Sequence, residues 1–202
     1  CSLIFFMHLI VYLHGFRSSP FSMKAKITHR AILDLKGEGV DVEWYCPQLP
    51  PSPKEAMAMV VAYIKSQNYK QLSIIGSSLG GYYATYLAEL FSAKTTLLNP
   101  AIEPARDLES YIGELKAWHS DEAFDFKPEY MQELQDLYIE NITMPNRYYL
   151  IAAKGDEVLD WQEMVAKYPG AKQLVLEGGD HAISNYLELL PTVLAFHDLK
   201  PV

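Results

Sequence analysis

A chain of 202 residues, half of them hydrophobic and 21% charged, has the size and composition of one globular domain with a substantial core. A formal charge of −8 without any cluster of Lys and Arg argues against a nucleic-acid partner. Two distant cysteines, Cys1 and Cys46, make neither a disulfide framework nor a C-x-x-C pair, which fits a reducing, cytoplasmic setting.

The apolar stretch Cys1–Leu13 is too short to span a bilayer and has no basic start or small-residue cleavage site, so no stable membrane association is expected. Residues 1–6 read as an extension ahead of a single domain over residues 7–202. Leu9 to Leu13 is a continuous β-branched and apolar run, as in a strand buried on both faces. Ser19-Pro20 reads as N-cap and first turn of a helix that Gly37 and Gly39 end. Val42 to Cys46 is a second strand, closed by Pro47, Pro50 and Pro51. Ser52-Pro53-Lys54-Glu55 is a capping box opening a helix to about Ser66. Gln71 to Ile75 is the third strand, and a helical run follows from Tyr82. Thr95 to Leu98 is the fourth strand. Residues 101–146 change character: acidic, tyrosine-bearing, with helical patterns near Leu108–Leu115 and Pro128–Ile139 and no strand. They are expected to form a small helical cap. Arg147 to Ala153 and Lys172 to Leu176 supply two more strands, with a helix from Trp161 to Tyr168 between them. A last helix is expected from about Ile183 to His197.

Strands alternating with helices predict an α/β fold with a mainly parallel six-stranded sheet and helices on both faces. Chemistry-bearing groups then belong at the carboxyl ends of the strands. His14, Ser78, Asp156 and His181 all fall there. Gly76-Ser77-Ser78-Leu79-Gly80 matches G-x-S-x-G between a strand and a helix, the context of a nucleophile elbow with Ser78 at its tip. Ser77 fits less well, because Ile75 takes its minus-two position.

A serine hydroxyl needs a base to become a nucleophile at neutral pH. Of the six histidines, His181 suits that role, in a glycine-containing loop after the last strand. The base needs an acceptor to fix its tautomer. Asp156, in the loop after the preceding strand, is favoured over Asp180, with Glu157 and Asp160 weaker candidates. The order Ser, Asp, His is that of α/β-hydrolases. Oxyanion donors are expected from the backbone N–H groups of Leu79 and Phe16. Gly15 permits the turn of the loop that carries Phe16. His14, Gly15 and Arg17 are candidates for substrate binding, with a purely structural histidine as the rival reading of His14. Arg17 and Arg106 are candidates for an anionic substrate group, against solvated arginine. No metal site or cofactor is expected, since no second His pair stands at ligand spacing from His181.

Tyr12 to Pro20, Gly76 to Ala84, Leu98 to Ala101, Gly155 to Asp160 and Glu177 to His181 together resemble the motif series of the small bacterial YqiA-like esterases, from Met7 to Phe196. The resemblance implies a compact α/β-hydrolase acting on short-chain acyl esters, or on acyl thioesters such as acyl-CoA. It supports Ser78, Asp156 and His181 as the catalytic residues. Arg17 and the pair Ala182-Ile183 depart from the family pattern at the mouth of the site. A non-catalytic binding protein on the same fold is the reading from another class. The expected partner is therefore a small ester or thioester, and the oligomeric state is open. Apolar side chains of the cap (Leu108, Tyr111, Ile112, Leu115, Met131, Leu134 and Leu137) are expected to set acyl-length preference.

Overall fold

The computed structural model describes residues 7–116 and 123–200. Six parallel strands form the central sheet: β1 (His8–Leu13), β2 (Val42–Tyr45), β3 (Gln71–Ser77), β4 (Lys94–Leu98), β7 (Tyr148–Ala153) and β8 (Lys172–Leu176), in the order β2-β1-β3-β4-β7-β8. The two strands numbered between β4 and β7 lie outside it. Every residue of β1 and β7 is buried, which is why these segments read as unbroken apolar runs rather than alternating ones. Successive side chains point to opposite faces. Leu9, Val11 and Leu13 pack with α2 (Pro53–Ser66) and α3 (Leu79–Phe91). Ile10 and Tyr12 pack with α1 (Met23–Gly37) and α7 (Tyr186–Phe196) on the other side. Each fully buried aliphatic side chain in these layers contributes about 1.5–3 kcal/mol.

Helix starts follow side-chain capping and φ rather than proline alone. Ser52 caps α2, its Oγ accepting from the Glu55 N–H at 3.1 Å, and Pro53 takes the first position. Ser19-Pro20 does not open α1. Arg17 adopts φ 58°, and turn bonds from Ser18 N–H to Gly15 O and from Ser22 N–H to Ser19 O carry the chain through a loop, so α1 starts only at Met23. Likewise α7 begins at Tyr186, not Ile183, because Ile183 is left-handed at φ 51° and cannot propagate a helix. Between β7 and β8 lies α6 (Trp161–Lys167).

The insertion between β4 and β7 departs most from expectation. It contains helices α4 (Pro104–Leu108) and α5 (Glu129–Asp136), but also an antiparallel pair, β5 (Gly113–Lys116) with β6 (Ala123–Phe126). The expected absence of strands is thus corrected. Gly113, at φ 130°, ends the helical path that the spacing of Leu108, Tyr111, Ile112 and Leu115 suggests. Ala-Phe-Asp-Phe then alternates with period 2. Phe124 and Phe126 both turn to Phe16, with ring centroids 6.4 and 4.9 Å away. Trp118 and His119 lie outside the described residues.

At the amino ends of the strands, two histidines are buried. His8 Nε2 hydrogen-bonds Ser73 Oγ at 2.8 Å, and His197 Nε2 hydrogen-bonds Thr96 Oγ1 at 2.9 Å while its Nδ1 has no partner. Burial pushes His8 down to about 4 and His197 down to about 3, against an ordinary value near 6.5. A folded-state value below the unfolded one means that the unfolded chain binds more protons once the pH drops under about 6.5, so stability falls with acidification from there. The expected loss is on the order of 2–3 kcal/mol per histidine by pH 4.5. Urea unfolding at pH 7 and pH 4.5 measures it. His197→Gln, which has no such titration, should show a shallower pH dependence than the parent, and equal slopes would remove His197 as a contributor.

Candidate active site

Ser78 stands between the end of β3 and the first residue of α3 with φ 56° and ψ −122°. A non-glycine residue in that region carries roughly 1–3 kcal/mol of strain, held by its surroundings. The holding bonds are visible: Ser78 N–H donates to Leu98 O at 3.0 Å, and Ser78 O accepts from Gly81 N–H at 2.9 Å and Ala101 N–H at 3.0 Å. The flanking glycines are needed for contact. A Cβ on Gly76 would lie 2.2 Å from Gly80 O, and one on Gly80 would lie 2.0 Å from Leu13 O. Strand β3, helix α3 and strand β1 therefore close on one another only without side chains there.

His181 and Asp156 come to this turn from two later loops. Ser78 Oγ donates to His181 Nε2 at 3.0 Å, and His181 Nδ1–H donates to Asp156 Oδ2 at 2.8 Å. The Asp156 side chain is fully buried, and its Oδ1 accepts from Val158 N–H at 2.8 Å and Leu159 N–H at 2.9 Å. Asp180 does something else. It accepts from the N–H and the hydroxyl of Ser184, closing the turn that follows His181, and the Ser184 hydroxyl first of all keeps its carboxyl below the usual range. Asp160 caps α6 through Gln162 N–H. Glu157 accepts the backbone N–H of His181 at 2.9 Å, a supporting contact rather than a bond to the imidazole.

The loop after β1 drapes over Ser78. A Cβ on Gly15 would lie 3.1 Å from Ser78 Cβ and 3.6 Å from its Oγ, so glycine is what lets this loop approach. Leu79, the first residue of α3, has a backbone N–H with no partner inside its own helix, and Phe16 follows Gly15 directly. His14 is buried. Its Nε2 accepts from Leu49 N–H at 3.1 Å, which makes the other nitrogen the protonated one, and Nδ1–H donates to Gly15 O at 3.0 Å. One ring nitrogen thus serves its own loop and the other holds the loop after β2, which fits the structural reading of His14. Arg17 Nε donates to Lys116 O at 2.6 Å and ties the same loop to β5. Arg106 lies elsewhere, forking onto Glu163 at 3.0 and 2.9 Å and bonding Asp107, so it is a surface ion pair and not part of the site.

Two residues have roles that the sequence reading did not assign. Asn99 is fully buried with φ 42°; its Oδ1 accepts from Ala153 N–H at 2.8 Å, and its Nδ2 donates to Asp180 O at 3.0 Å and His181 O at 3.2 Å. One amide thereby joins the strand that leads to Asp156 and the loop that carries His181 to the end of β4. Lys24 is buried under the same loop and donates from Nζ to Ala182 O at 2.5 Å; burial lowers it to about 8, against the pull of Asp180 and Asp156. A positive φ is a signal for asparagine or glycine only once the backbone is known, and nothing in the sequence near Lys24 marks it as buried. Asn99→Gly keeps the left-handed backbone and deletes only the amide, leaving one buried and two part-buried backbone groups to find other partners. The expected result is about 10-fold or more lower kcat on an ester substrate, since misplacing a reacting group by about an ångström costs up to ~100-fold, with KM little changed. Steady-state kinetics check this, and an unchanged kcat in the folded variant would reduce Asn99 to a packing role.

Beside Ser78 opens a cavity of about 680 Å³. Its walls are residues 14–19 and Phe21 of the loop after β1, residues 48–51 of the loop after β2, Met59, Leu79, Tyr83, and Ala123 and Phe124 of β6. His14, Gly15 and Arg17, the residues considered for substrate binding, border it. Among the described residues no group of three His, Cys, Asp or Glu side chains is arranged to hold a metal ion, and no helix is long and apolar enough to cross a membrane.

The solved structures similar to this one are α/β-hydrolases by fold. A putative hydrolase from Agrobacterium vitis S4 superposes with a TM-score of 0.74 at 16% identity, covering 94% of this chain and 87% of that one. Est1E from Butyrivibrio proteoclasticus, solved with ferulic acid bound, superposes with a TM-score of 0.69 at 16% identity, covering 96% of this chain and 90% of its own. By sequence, the UPF0227 protein YcfP of Salmonella paratyphi A is 26% identical over 198 residues, 95% of this chain and 99% of that protein. The family described as "Uncharacterised protein family (UPF0227)" matches residues 9–198, nearly the whole described domain, and the chain belongs to that family.

Proposed function

We propose that this protein is a serine hydrolase that cleaves carboxylic esters through an acyl-enzyme on Ser78. The observation that carries the reading is the continuous bond series from Ser78 Oγ to His181 Nε2 and from His181 Nδ1 to Asp156. It is the donor and acceptor order that a hydroxyl nucleophile, a neutral imidazole base and an orienting carboxylate require.

In the first half, Ser78 Oγ attacks the ester carbonyl carbon while its proton passes to His181 Nε2. The carbonyl oxygen becomes an oxyanion and takes hydrogen bonds from the Leu79 and Phe16 N–H groups. Asp156 stabilises the resulting imidazolium. The C–O bond to the alcohol breaks, and the alcohol leaves with the proton from His181. In the second half, water gives a proton to His181 and attacks the acyl carbon, and Ser78 Oγ departs, reprotonated by His181. The products are the free acid and the alcohol, and the residues supply each proton without a cofactor.

Est1E, whose structure holds ferulic acid, and a monoacylglycerol lipase from Paleococcus ferrophilus share this fold, which is consistent with ester chemistry here. The direct test is a fluorophosphonate probe, followed by mass spectrometry of the labelled peptide, alongside a panel of esters and acyl-CoA. Labelling at Ser78 with turnover of esters supports the reading. Absence of both from the folded protein would remove it, and turnover confined to acyl-CoA would make the protein a thioesterase.

A further inference from the structure

The cavity beside Ser78 has a side. In the tetrahedral intermediate the carbon on Ser78 Oγ carries three other groups: the oxyanion, the leaving alkoxide and the acyl arm. The oxyanion faces Leu79 and Phe16. The alkoxide must stay within reach of His181 Nε2, which protonates it. The acyl arm takes the remaining direction, away from His181.

The walls of the 680 Å³ cavity come from the loops after β1 and β2, from α2, from α3 and from β6. Neither the Asp156 loop nor the His181 loop contributes to them. The cavity therefore lies on the acyl side. Beyond the loop after β1, its walls are mostly apolar, with Leu49, Pro50, Pro51, Met59 and Phe124 among them. Its volume falls in the middle of the range of about 300–1,000 Å³ that holds drug-sized ligands, far more than an acetyl group fills.

The insertion between β4 and β7 takes a different part from the one its apolar stripe suggests. Leu134 and Leu137 are buried in the main core, and Tyr111 and Ile112 are 40% and 39% exposed. Among the described residues of this segment, Ala123 and Phe124 alone line the cavity. Its helix α5 instead braces the far wall: Glu133 Oε2 accepts from Ser52 Oγ at 2.6 Å and from Lys54 N–H at 3.1 Å, at the very start of α2.

Building on the serine-hydrolase reading, we infer that the substrates are esters with an apolar, medium-length acyl arm, and that Met59 with the proline loop at residues 48–51 reads the length of that arm. Met59 sits on a regular helix whose start is fixed by Ser52 and Glu133, so a change of its side chain alters the space in the cavity without moving Ser78.

The experiment is a set of p-nitrophenyl esters from acetate to decanoate, with one leaving group throughout, and a second set of acetate esters with alcohols of increasing length. Wild type should favour medium acyl chains over acetate. Met59→Trp should lower the octanoate-to-acetate ratio of kcat/KM by roughly tenfold or more, the scale that a methylene or two in an apolar pocket commands. Met59→Ala should move the optimum toward longer chains, and it serves as the readout if the tryptophan variant does not fold. Ile112→Trp, on the outer face of the insertion, should leave the ratio unchanged. The inference fails if the Met59 variants keep the parent acyl profile, if they shift the alcohol series instead, or if Ile112→Trp moves the ratio while they do not. A wild-type protein that turns over esters but prefers acetate also overturns it. Those outcomes are distinct from a wild type with neither turnover nor probe labelling, which defeats the parent reading.

Discussion

Ser78→Ala is expected to lower kcat on a p-nitrophenyl ester by about 10⁴–10⁶-fold, because a triad without its nucleophile keeps only the acceleration that binding and the oxyanion donors supply. The fold should survive. The backbone bonds that hold the turn run through Ser78 N–H to Leu98 O and through Ser78 O to Gly81 and Ala101, none of which uses the hydroxyl. Alanine at φ 56° bears the same backbone strain as serine, and one partly buried hydrogen bond to His181 is lost. Thermal or urea unfolding should therefore change by no more than about 1–2 kcal/mol. Ser77→Ala supplies the contrast. Ser77 is the last residue of β3 and buried, but it makes no bond to His181, so its variant should retain turnover of the parent's order. Fluorophosphonate labelling ought to vanish with Ser78 and persist with Ser77. Near-parent kcat in a folded Ser78→Ala protein would overturn the proposed chemistry altogether.

How far the sequence reached is clearest at particular residues. The sheet was legible because buried parallel strands are continuous apolar runs, and all six of its strands appear where Leu9–Leu13, Val42–Cys46, Gln71–Ile75, Thr95–Leu98, Arg147–Ala153 and Lys172–Leu176 announce them, within one or two residues. The glycines around Ser78 were legible because close backbone approach leaves no other residue possible. The strands β5 and β6 were not. Each has four residues, too few for alternation to stand out, and the spacing of Leu108, Tyr111, Ile112 and Leu115 imitates a helix until Gly113 takes a positive φ. The work of Asn99 was hidden for a different reason. Its partners are the carbonyls of Asp180 and His181 and the N–H of Ala153, all more than fifty residues away in the chain, and backbone partners leave no mark on a sequence. None of the seven apolar side chains named in the insertion lines the cavity, though Ala123 and Phe124 of the same segment do. An apolar stripe says that a helix buries one face, and Leu134 shows that the face meets the core instead of a ligand.

Asp156→Asn should be nearly as damaging as loss of the nucleophile, at about 10⁴-fold in kcat, and the local bonds say why. Asp156 uses its two oxygens for different partners: Oδ1 accepts from the N–H groups of Val158 and Leu159, and Oδ2 accepts from His181 Nδ1–H. An asparagine in this buried position has one acceptor oxygen. Two backbone N–H donors claim it, because an NH₂ turned toward them would set donor against donor. The NH₂ group then faces His181 Nδ1, which must become an acceptor. The imidazole proton moves to Nε2, and Nε2 is the atom 3.0 Å from Ser78 Oγ. A base that already carries its proton there cannot accept the serine's, so the geometry persists while the chemistry stops. Asp180→Asn makes no such demand. Its carboxylate serves Ser184, and an amide oxygen can keep the Ser184 N–H bond, so kcat is expected within about tenfold of the parent. Steady-state kinetics on the two variants, with circular dichroism to verify the fold, decide between the carboxylates. Should Asp180→Asn prove the more damaging by orders of magnitude, the orienting acid is Asp180, and the bond from His181 Nδ1 to Asp156 is incidental to catalysis.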